Sequence, residues 1–196
     1  MDIIQKLTEE LQVQRWQVEA AVSLIDEGNT IPFISRYRKE ATGSLNDEEL
    51  RKLHERLVYL RNLEEKKAQV RKSIEDQGKM TEELQAAIAA AETLVAVEDI
   101  YRPYRPKRRT RATIAKEKGL EPLADLLFLQ ELKQEAEKEA EAYLSEEKGV
   151  DSVQDALNGA GDILAERISD HADYRKRLRQ MTIKNGSITA EARDEK

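Results

Sequence analysis

Apolar residues recur along this chain at three-, four- and seven-residue steps and almost nowhere at the alternating step of a strand, so the pattern predicts helices. Ile3, Leu7 and Leu11 mark one face of a first short helix. Trp16, Ala20, Ala21, Leu24 and Ile25 mark a second, beginning near Gln14 and stopping at Gly28-Asn29. Thr30-Ile31-Pro32 restarts the chain, with Thr30 as N-cap and Pro32 in a first turn that tolerates it. This third helix carries Phe33 to Lys39 and ends near Thr42-Gly43. Three short helices parted by glycine turns have the outline of a helix-turn-helix bundle.

Asn46, with Glu49 three residues on, has the form of a capping box opening the longest helix. Leu50, Leu53, Leu57, Leu60, Leu63, Val70 and Ile74 run along it until Gly78. Spanning about residues 46 to 77, at 1.5 Å per residue, it is on the order of 45 Å long, a spine for other helices. Thr81 begins the next helix, read as unbroken through Leu84, Ile88, Leu94 and Val97 to Ile100. After Gly119-Leu120-Glu121-Pro122, the run Leu123, Leu126, Leu127 and Leu129 gives an apolar helix. Leu132 to Leu144 reads as a solvated surface helix, and Ala156, Leu157, Ala160, Ile163, Leu164 and Ile168 as the last long amphipathic one. Thr182 to Thr189 alternates like a hairpin about Asn185-Gly186. A lone hairpin is marginal, so the expectation there is a hairpin-like or disordered tail, or a chain cut from something larger.

The predicted fold class is therefore all-α: a short helix-turn-helix-like bundle over residues 1–45, a spine helix and its successor over 46–100, a basic linker and helix start over 101–118, C-terminal helices over 119–181 and a tail over 182–196.

Composition narrows this further. Charged residues make up 37% of the chain and aromatics 5%, the usage of long solvated helices. No cysteine is present, so disulfides, thiol nucleophiles and thiolate metal sites are excluded. The first residues are not a basic–apolar signal peptide and no apolar run reaches membrane-spanning length. The expectation is a soluble, cytoplasmic protein without membrane contact.

Charge singles out one stretch. From Arg102 to Lys116 the chain carries seven formal positive charges and no acid, although the whole is net −6. Arg102, Arg105, Lys107, Arg108, Arg109 and Arg111 are interleaved with Tyr101 and Tyr104 and stiffened by Pro103 and Pro106. Each proline pushes the residue before it out of the helical region, which predicts an extended bridge from Tyr101 to Pro106. Thr110 or Thr113 then caps a new helix. A concentrated positive segment needs an anionic counterpart, either nucleic-acid phosphate or acidic protein, including this protein's own glutamates. A smaller basic cluster follows at Tyr174 to Arg179.

Catalytic constellations are not found. His54 and His171 stand alone, each expected on an exposed helix face, and neither has a second histidine at ligand spacing. Adjacent acids such as Glu48-Glu49 and Glu82-Glu83 point about 100° apart on a helix and do not converge. Gly159-Ala160-Gly161 follows no strand and lacks the third glycine of a dinucleotide fingerprint. The expectation is a non-enzyme with no catalytic residue, cofactor or metal.

Two segments carry a family resemblance. Gly28-Asn29-Thr30-Ile31-Pro32-Phe33-Ile34-Ser35-Arg36-Tyr37-Arg38-Lys39-Glu40-Ala41-Thr42-Gly43 resembles the first signature of the bacterial Tex transcription accessory proteins. Glu98 to Ala115, ending in Gly119-Leu120-Glu121-Pro122-Leu123-Ala124, resembles the second. Ala160 to Ile168 is a softer match, with Gly161 where a larger residue is expected. The resemblance covers nearly the whole chain. It implies a cytoplasmic nucleic-acid-binding protein tied to transcription, similar in layout to the eukaryotic elongation factor of the same superfamily. It also implies downstream RNase H-like, helix-hairpin-helix and OB-fold RNA-binding domains that this chain does not contain, with much of the family's RNA affinity in the last. The chain corresponds to the helical N-terminal region.

Two readings follow. In the first, the chain is a nucleic-acid-binding module for RNA or DNA. Arg102, Arg105, Lys107, Arg108, Arg109 and Arg111 contact phosphates with little sequence specificity, Tyr101 or Tyr104 stacks on an unpaired base, and Arg36, Arg38 and Lys39 add a secondary contact. In the second, it is a protein-interaction scaffold docking RNA polymerase or the downstream domains. The arginine cluster is then paired internally, and Arg36 and Arg38 pair with Glu40, Asp47 or Glu48.

Overall fold

Helices form wherever the apolar spacing and the caps agree, and the structure, a computed structural model describing residues 2–106, 108–130 and 134–191, places eleven α-helices and one 3-10 turn there. They gather into two compact units, residues 1–97 and 98–196. No strand forms among the described residues beyond one isolated bridge between Ser145 and Val150. No helix among them is long and apolar enough to cross a membrane. The fold is all-α, as the periodicity predicts.

In the first unit α1 (Ile3–Leu11), α2 (Arg15–Asp26) and α3 (Ile31–Tyr37) pack on α4 (Asp47–Asp76), the 30-residue spine. Asn46 accepts from the Glu49 backbone N–H at 2.9 Å while Glu49 accepts from the Asn46 N–H at 2.8 Å, closing the capping box. Thr30 caps α3 through the Phe33 N–H, with Pro32 in the first turn. Leu7, Val18, Ala21, Ile34, Leu50, Leu53, Leu57 and Leu60 form the core. Bidentate ion pairs fasten two helices to the spine, Arg56 to Glu10 of α1 and Arg61 to Asp26 of α2.

The single helix expected from Thr81 to Ile100 is two: α5 (Glu82–Ala90) and α6 (Leu94–Tyr101). The break has a local cap at Thr93 and, beyond it, partners on α4 that no local pattern reveals. Lys67 of α4, almost wholly buried, donates from Nζ to the Ala89 carbonyl at 2.9 Å, satisfying the end of α5. Its charge is met by Glu64 at 3.1 Å. Thr93 caps the restart through the Ala96 N–H, and the Tyr59 hydroxyl accepts from the Leu94 N–H.

In the second unit α7 (Arg111–Glu117), α8 (Glu121–Leu129) and α9 (Ala136–Glu141) pack against α10 (Val153–Asp170), which α11 (Ala172–Asn185) follows. Ala112, Ala115, Leu120, Leu123, Ala124, Ala140, Val150, Ala156, Ala160 and Ile163 make the core. Small residues let α7 lie close to α10. A Cβ on Gly159 would fall 2.4 Å from Leu120 Cδ1, so that glycine serves packing. The solvated helix expected from Leu132 shrinks to the six residues of α9; Leu132 itself lies outside the described residues.

No hairpin forms among the described residues of the C-terminal end: its first half is helix, and residues 186–191 carry no regular structure. Thr182 to Asn185 are the last turn of α11, and Gly186 donates from its N–H to the Thr182 carbonyl at 2.7 Å. With no neighbouring strand to pair, i to i−4 bonding satisfies the backbone of this segment instead. Residues 192–196 lie outside the described residues.

Candidate nucleic-acid interface

The basic segment begins on α6 and departs from the extended bridge that its prolines suggest. Arg102–Tyr104 continues as a 3-10 turn, with Pro103 in a first-turn position and the Arg105 N–H reaching the Tyr101 carbonyl at 3.0 Å. The cause is tertiary: Arg102 donates from Nε to Asp170 Oδ1 at the end of α10, at 2.7 Å. The chain is extended at Arg105, where φ is −66° and ψ 130°, as a residue before proline should be. At the far end the Thr110 hydroxyl accepts from the Thr113 N–H at 3.1 Å, capping α7, and donates to Glu166 on α10 at 3.0 Å. The arginines between thus ride on a loop pinned at both ends to one helix.

Their side chains stay in solvent. Arg105, Arg109 and Arg111 have side-chain exposures of 64%, 67% and 86%. Each nonetheless has a carboxylate in reach: Glu98 at 4.0 Å from Arg105, Glu117 at 2.6 Å from Arg109 and Asp162 at 3.6 Å from Arg111. Arg108 is exposed and has no ion-pair partner among the described residues. Exposed pairs of this kind contribute roughly 0–1 kcal/mol, so a phosphate able to take a guanidinium bidentately competes with them. Lys107 lies outside the described residues. Tyr101 and Tyr104 are half-buried, and each has a partner within the protein.

A shallow cleft of about 310 Å³ beside the turn is lined by Pro103, Lys116, Glu121, Glu166, Arg167 and Asp170. Three carboxylates against two cations make it a poor phosphate pocket. Any polyanion surface here is the outer face of the loop.

Two cations of the second basic cluster, Arg175 and Arg179, are spent internally, while Lys176 and Arg177 are exposed. Arg175 donates to Asp99 Oδ1 at 2.8 Å and Arg179, one turn on, to Asp99 Oδ2 at 2.6 Å. Burial of Asp99 opposes its charge, but these two hydrogen bonds outweigh it and hold the carboxyl below the ordinary aspartate range.

Arg36, Arg38 and Lys39, at the end of α3 and in the turn after it, belong to the first unit. All three are exposed, and among the described residues neither Arg36 nor Arg38 pairs with Glu40, Asp47 or Glu48: Asp47 takes Arg51 at 2.6 Å and Glu48 takes Lys52 at 2.6 Å, both within α4. Phe33 and Tyr37 are their aromatic neighbours, and the charge pattern of the sequence does not point to them. Their i, i+4 spacing was the available signal, since it puts both rings on one side of α3.

His54 is half-buried on α4 rather than fully exposed, while His171 lies exposed between α10 and α11, its ring stacked on Tyr174 at 4.2 Å. Among the described residues no group of three or more His, Asp or Glu is placed to hold a metal ion.

Comparison with known proteins agrees along the chain. Residues 1–75 match the family described as Tex-like protein N-terminal domain, and residues 131–196 match the Tex central region. The transcriptional accessory protein Tex of Neisseria gonorrhoeae is 51% identical over 91% of this chain and 23% of its own length. Protein YhgF of Escherichia coli is 49% identical over 92% of this chain and 23% of its own length. The human S1 RNA-binding domain-containing protein 1 is 32% identical over 88% of this chain and 17% of its own length. The chain spans about a quarter, or less, of the length of these relatives. The basic segment falls between the two family matches, whereas Arg36, Arg38 and Lys39 fall inside the first.

Proposed function

The chain belongs to the Tex family, matching its N-terminal domain and central region, and on that premise we propose that it is a non-catalytic nucleic-acid-binding and scaffolding module of a transcription accessory factor. The observation that carries this reading is the state of the guanidinium groups of Arg105, Arg108, Arg109 and Arg111. Arg105, Arg108 and Arg109 stand in solvent on a loop held at both ends and Arg111 opens α7 beside it, with only surface pairs to displace. Fixed spacing and exposed charge suit a phosphate backbone and read no base, so the ligand is RNA or DNA with little sequence preference. Arg36, Arg38 and Lys39 add a second group of cations on the first unit. Arg102 acts differently: it holds the loop.

The scaffold reading has its own support in the Arg102–Asp170 and Asp99–Arg175–Arg179 pairs, which are internal fastenings. Under it the surface meets RNA polymerase or downstream domains of the longer protein. Neutralising Arg108 and Arg109 together (R108Q/R109Q) separates the two. The nucleic-acid reading expects an unchanged fold and weakened oligonucleotide retention. The scaffold reading expects a looser fold with no effect on a retention already negligible. If about four cations meet a single strand, log K against log salt has a slope of roughly −3. A slope near zero removes the phosphate role.

A further inference from the structure

Tyr37 is the most exposed aromatic side chain of the protein, at 63% of its surface, and it stands among cations with no carboxylate paired to them among the described residues. Its ring centroid is 5.3 Å from that of Phe33, tilted by 44°, and the Arg38 guanidinium lies 5.5 Å from the Phe33 centroid. Beside them opens a shallow cleft of about 470 Å³, lined by Arg36, Tyr37, Arg38, Lys39, Glu40 and Ala41. Glu40 is the one acid in that lining. Large exposed aromatics in a helical surface are the unusual observation, since the hydrophobic effect favours covering them.

The backbone behind this surface is held in place. Thr42 is buried, with its hydroxyl donating to the Arg38 carbonyl at 3.3 Å, and the Ser44 N–H donates to the Lys39 carbonyl at 2.7 Å. Gln17 of α2 donates to the carbonyls of Thr42 at 3.2 Å and Gly43 at 3.1 Å. Gly43 takes a φ of +61° with Trp16 occupying the space a Cβ would need, so no other residue fits there without moving the indole. The turn is thus fixed from its inner side by Thr42, Gly43 and Gln17. Nothing in that fixing involves the outward side chains of Arg36, Tyr37, Arg38 and Lys39.

We propose that the Phe33–Tyr37 face of α3 is a stacking platform for an unpaired nucleobase, with Arg36, Arg38 and Lys39 holding the flanking phosphates, so that the first unit takes single-stranded nucleic acid in preference to duplex. The inference rests on the nucleic-acid reading above and deepens it. An aromatic ring reaches the π-face of an unpaired base, whereas in a duplex that face is covered by its neighbours, and the surrounding cations supply the backbone attraction. Charge alone would not distinguish the two forms; the ring does.

The test uses the full 196-residue chain, a fluorescein-labelled single-stranded 12-mer as RNA and as DNA, and the corresponding duplexes, read by anisotropy. Tyr37→Ala should weaken single-strand binding roughly 5- to 150-fold, the range for losing one base stack, and leave duplex binding and the thermal melt unchanged. Tyr37→Phe should retain the affinity, because the ring and not the hydroxyl carries it. Replacing Arg36, Arg38 and Lys39 by Gln should make the salt slope shallower by about 2, whereas Tyr37→Ala should leave it unaltered. Wild-type single-strand binding by Tyr37→Ala, or equal losses on strand and duplex, overturns the platform. If Tyr37→Ala is silent while R108Q/R109Q loses binding, the platform falls and the general reading stands. If the chain binds no oligonucleotide at all, both fall.

Discussion

Arg102 and Asp170, 68 residues apart in sequence, meet at 2.7 Å between Nε and Oδ1 and fold the basic segment back onto the end of α10. The pair sets Arg102 apart from the other cations of its run. Asp170 has a side chain only 9% exposed, so its charge depends on partners inside the protein, while Arg102 keeps 46% of its own surface in water. An even row of positive charges in the sequence is therefore two things in space: one cation that builds the loop and several that the loop displays.

This division predicts opposite mutational signatures. Arg102→Ala should lower stability by about 1–2 kcal/mol, because it leaves a nearly buried carboxylate short of a charged donor. Arg108→Ala, at an exposed position without an ion-pair partner among the described residues, should stay within about 0.5 kcal/mol of wild type while weakening oligonucleotide retention. Urea unfolding followed by far-ultraviolet circular dichroism, with anisotropy on the same samples, checks both. Equal stability losses at the two positions would contradict the division.

Asp99 predicts a pH dependence localised to α11. Its folded carboxyl titrates below the ordinary range, because the hydrogen bonds of Arg175 and Arg179 outweigh the opposing effect of burial. The unfolded chain binds that proton near pH 3.9, so the stabilisation is complete above that value and is lost as pH falls through the folded pKa. Protection of α11 amides against hydrogen exchange, corrected for intrinsic rates, should hold above about pH 4 and fall as the pH drops through the lowered folded pKa. Asp99→Asn should show the lowered protection already at neutral pH and a flatter acid response. An unaltered response in that variant would assign the acid lability to other carboxylates.

The parts of the fold readable from the sequence are those whose causes are local. Asn46 with Glu49, Thr30 with Pro32 and the cap at Thr110 each lie within one helical turn of what they organise, and each forms as its residues suggest. The break between α5 and α6 escapes such reading because Lys67 and Tyr59, which stabilise it, come from α4. The 3-10 turn at Arg102–Tyr104 escapes for the same reason, its anchor being Asp170. α11 has few apolar residues to bury, and Leu178, Met181 and Ile183 are exposed, so periodicity had little to find and Asn185-Gly186 imitated a hairpin turn. For the candidate interface, the positive charge is written in the sequence. Which arginines remain in solvent is decided by where Glu98, Glu117, Asp162 and Asp170 fall in the fold.

Two glycines of α10, Gly159 and Gly161, test the packing of the second unit with one substitution each. Both lie inside a helix, where replacing Gly by Ala gains about 0.5–1 kcal/mol from backbone entropy if the methyl group has room. At Gly161 nothing lies within 4 Å of the new carbon, so Gly161→Ala should stabilise by that full amount. At Gly159 the carbon would fall 2.4 Å from Leu120 Cδ1 and 3.3 Å from Ala115 Cβ. Leu120 is 1% exposed and cannot swing into solvent, so relief requires a shift of α7 and α8 against α10. Overpacking of this kind costs about 1–3 kcal/mol, more than the entropic gain, and Gly159→Ala should therefore destabilise. Thermal unfolding of the two variants should move in opposite directions from wild type. The same residue type, two positions apart on one helix, carries opposite signs only if α7 and α8 approach α10 as closely as the structure places them, so a shift in the same direction would refute that packing.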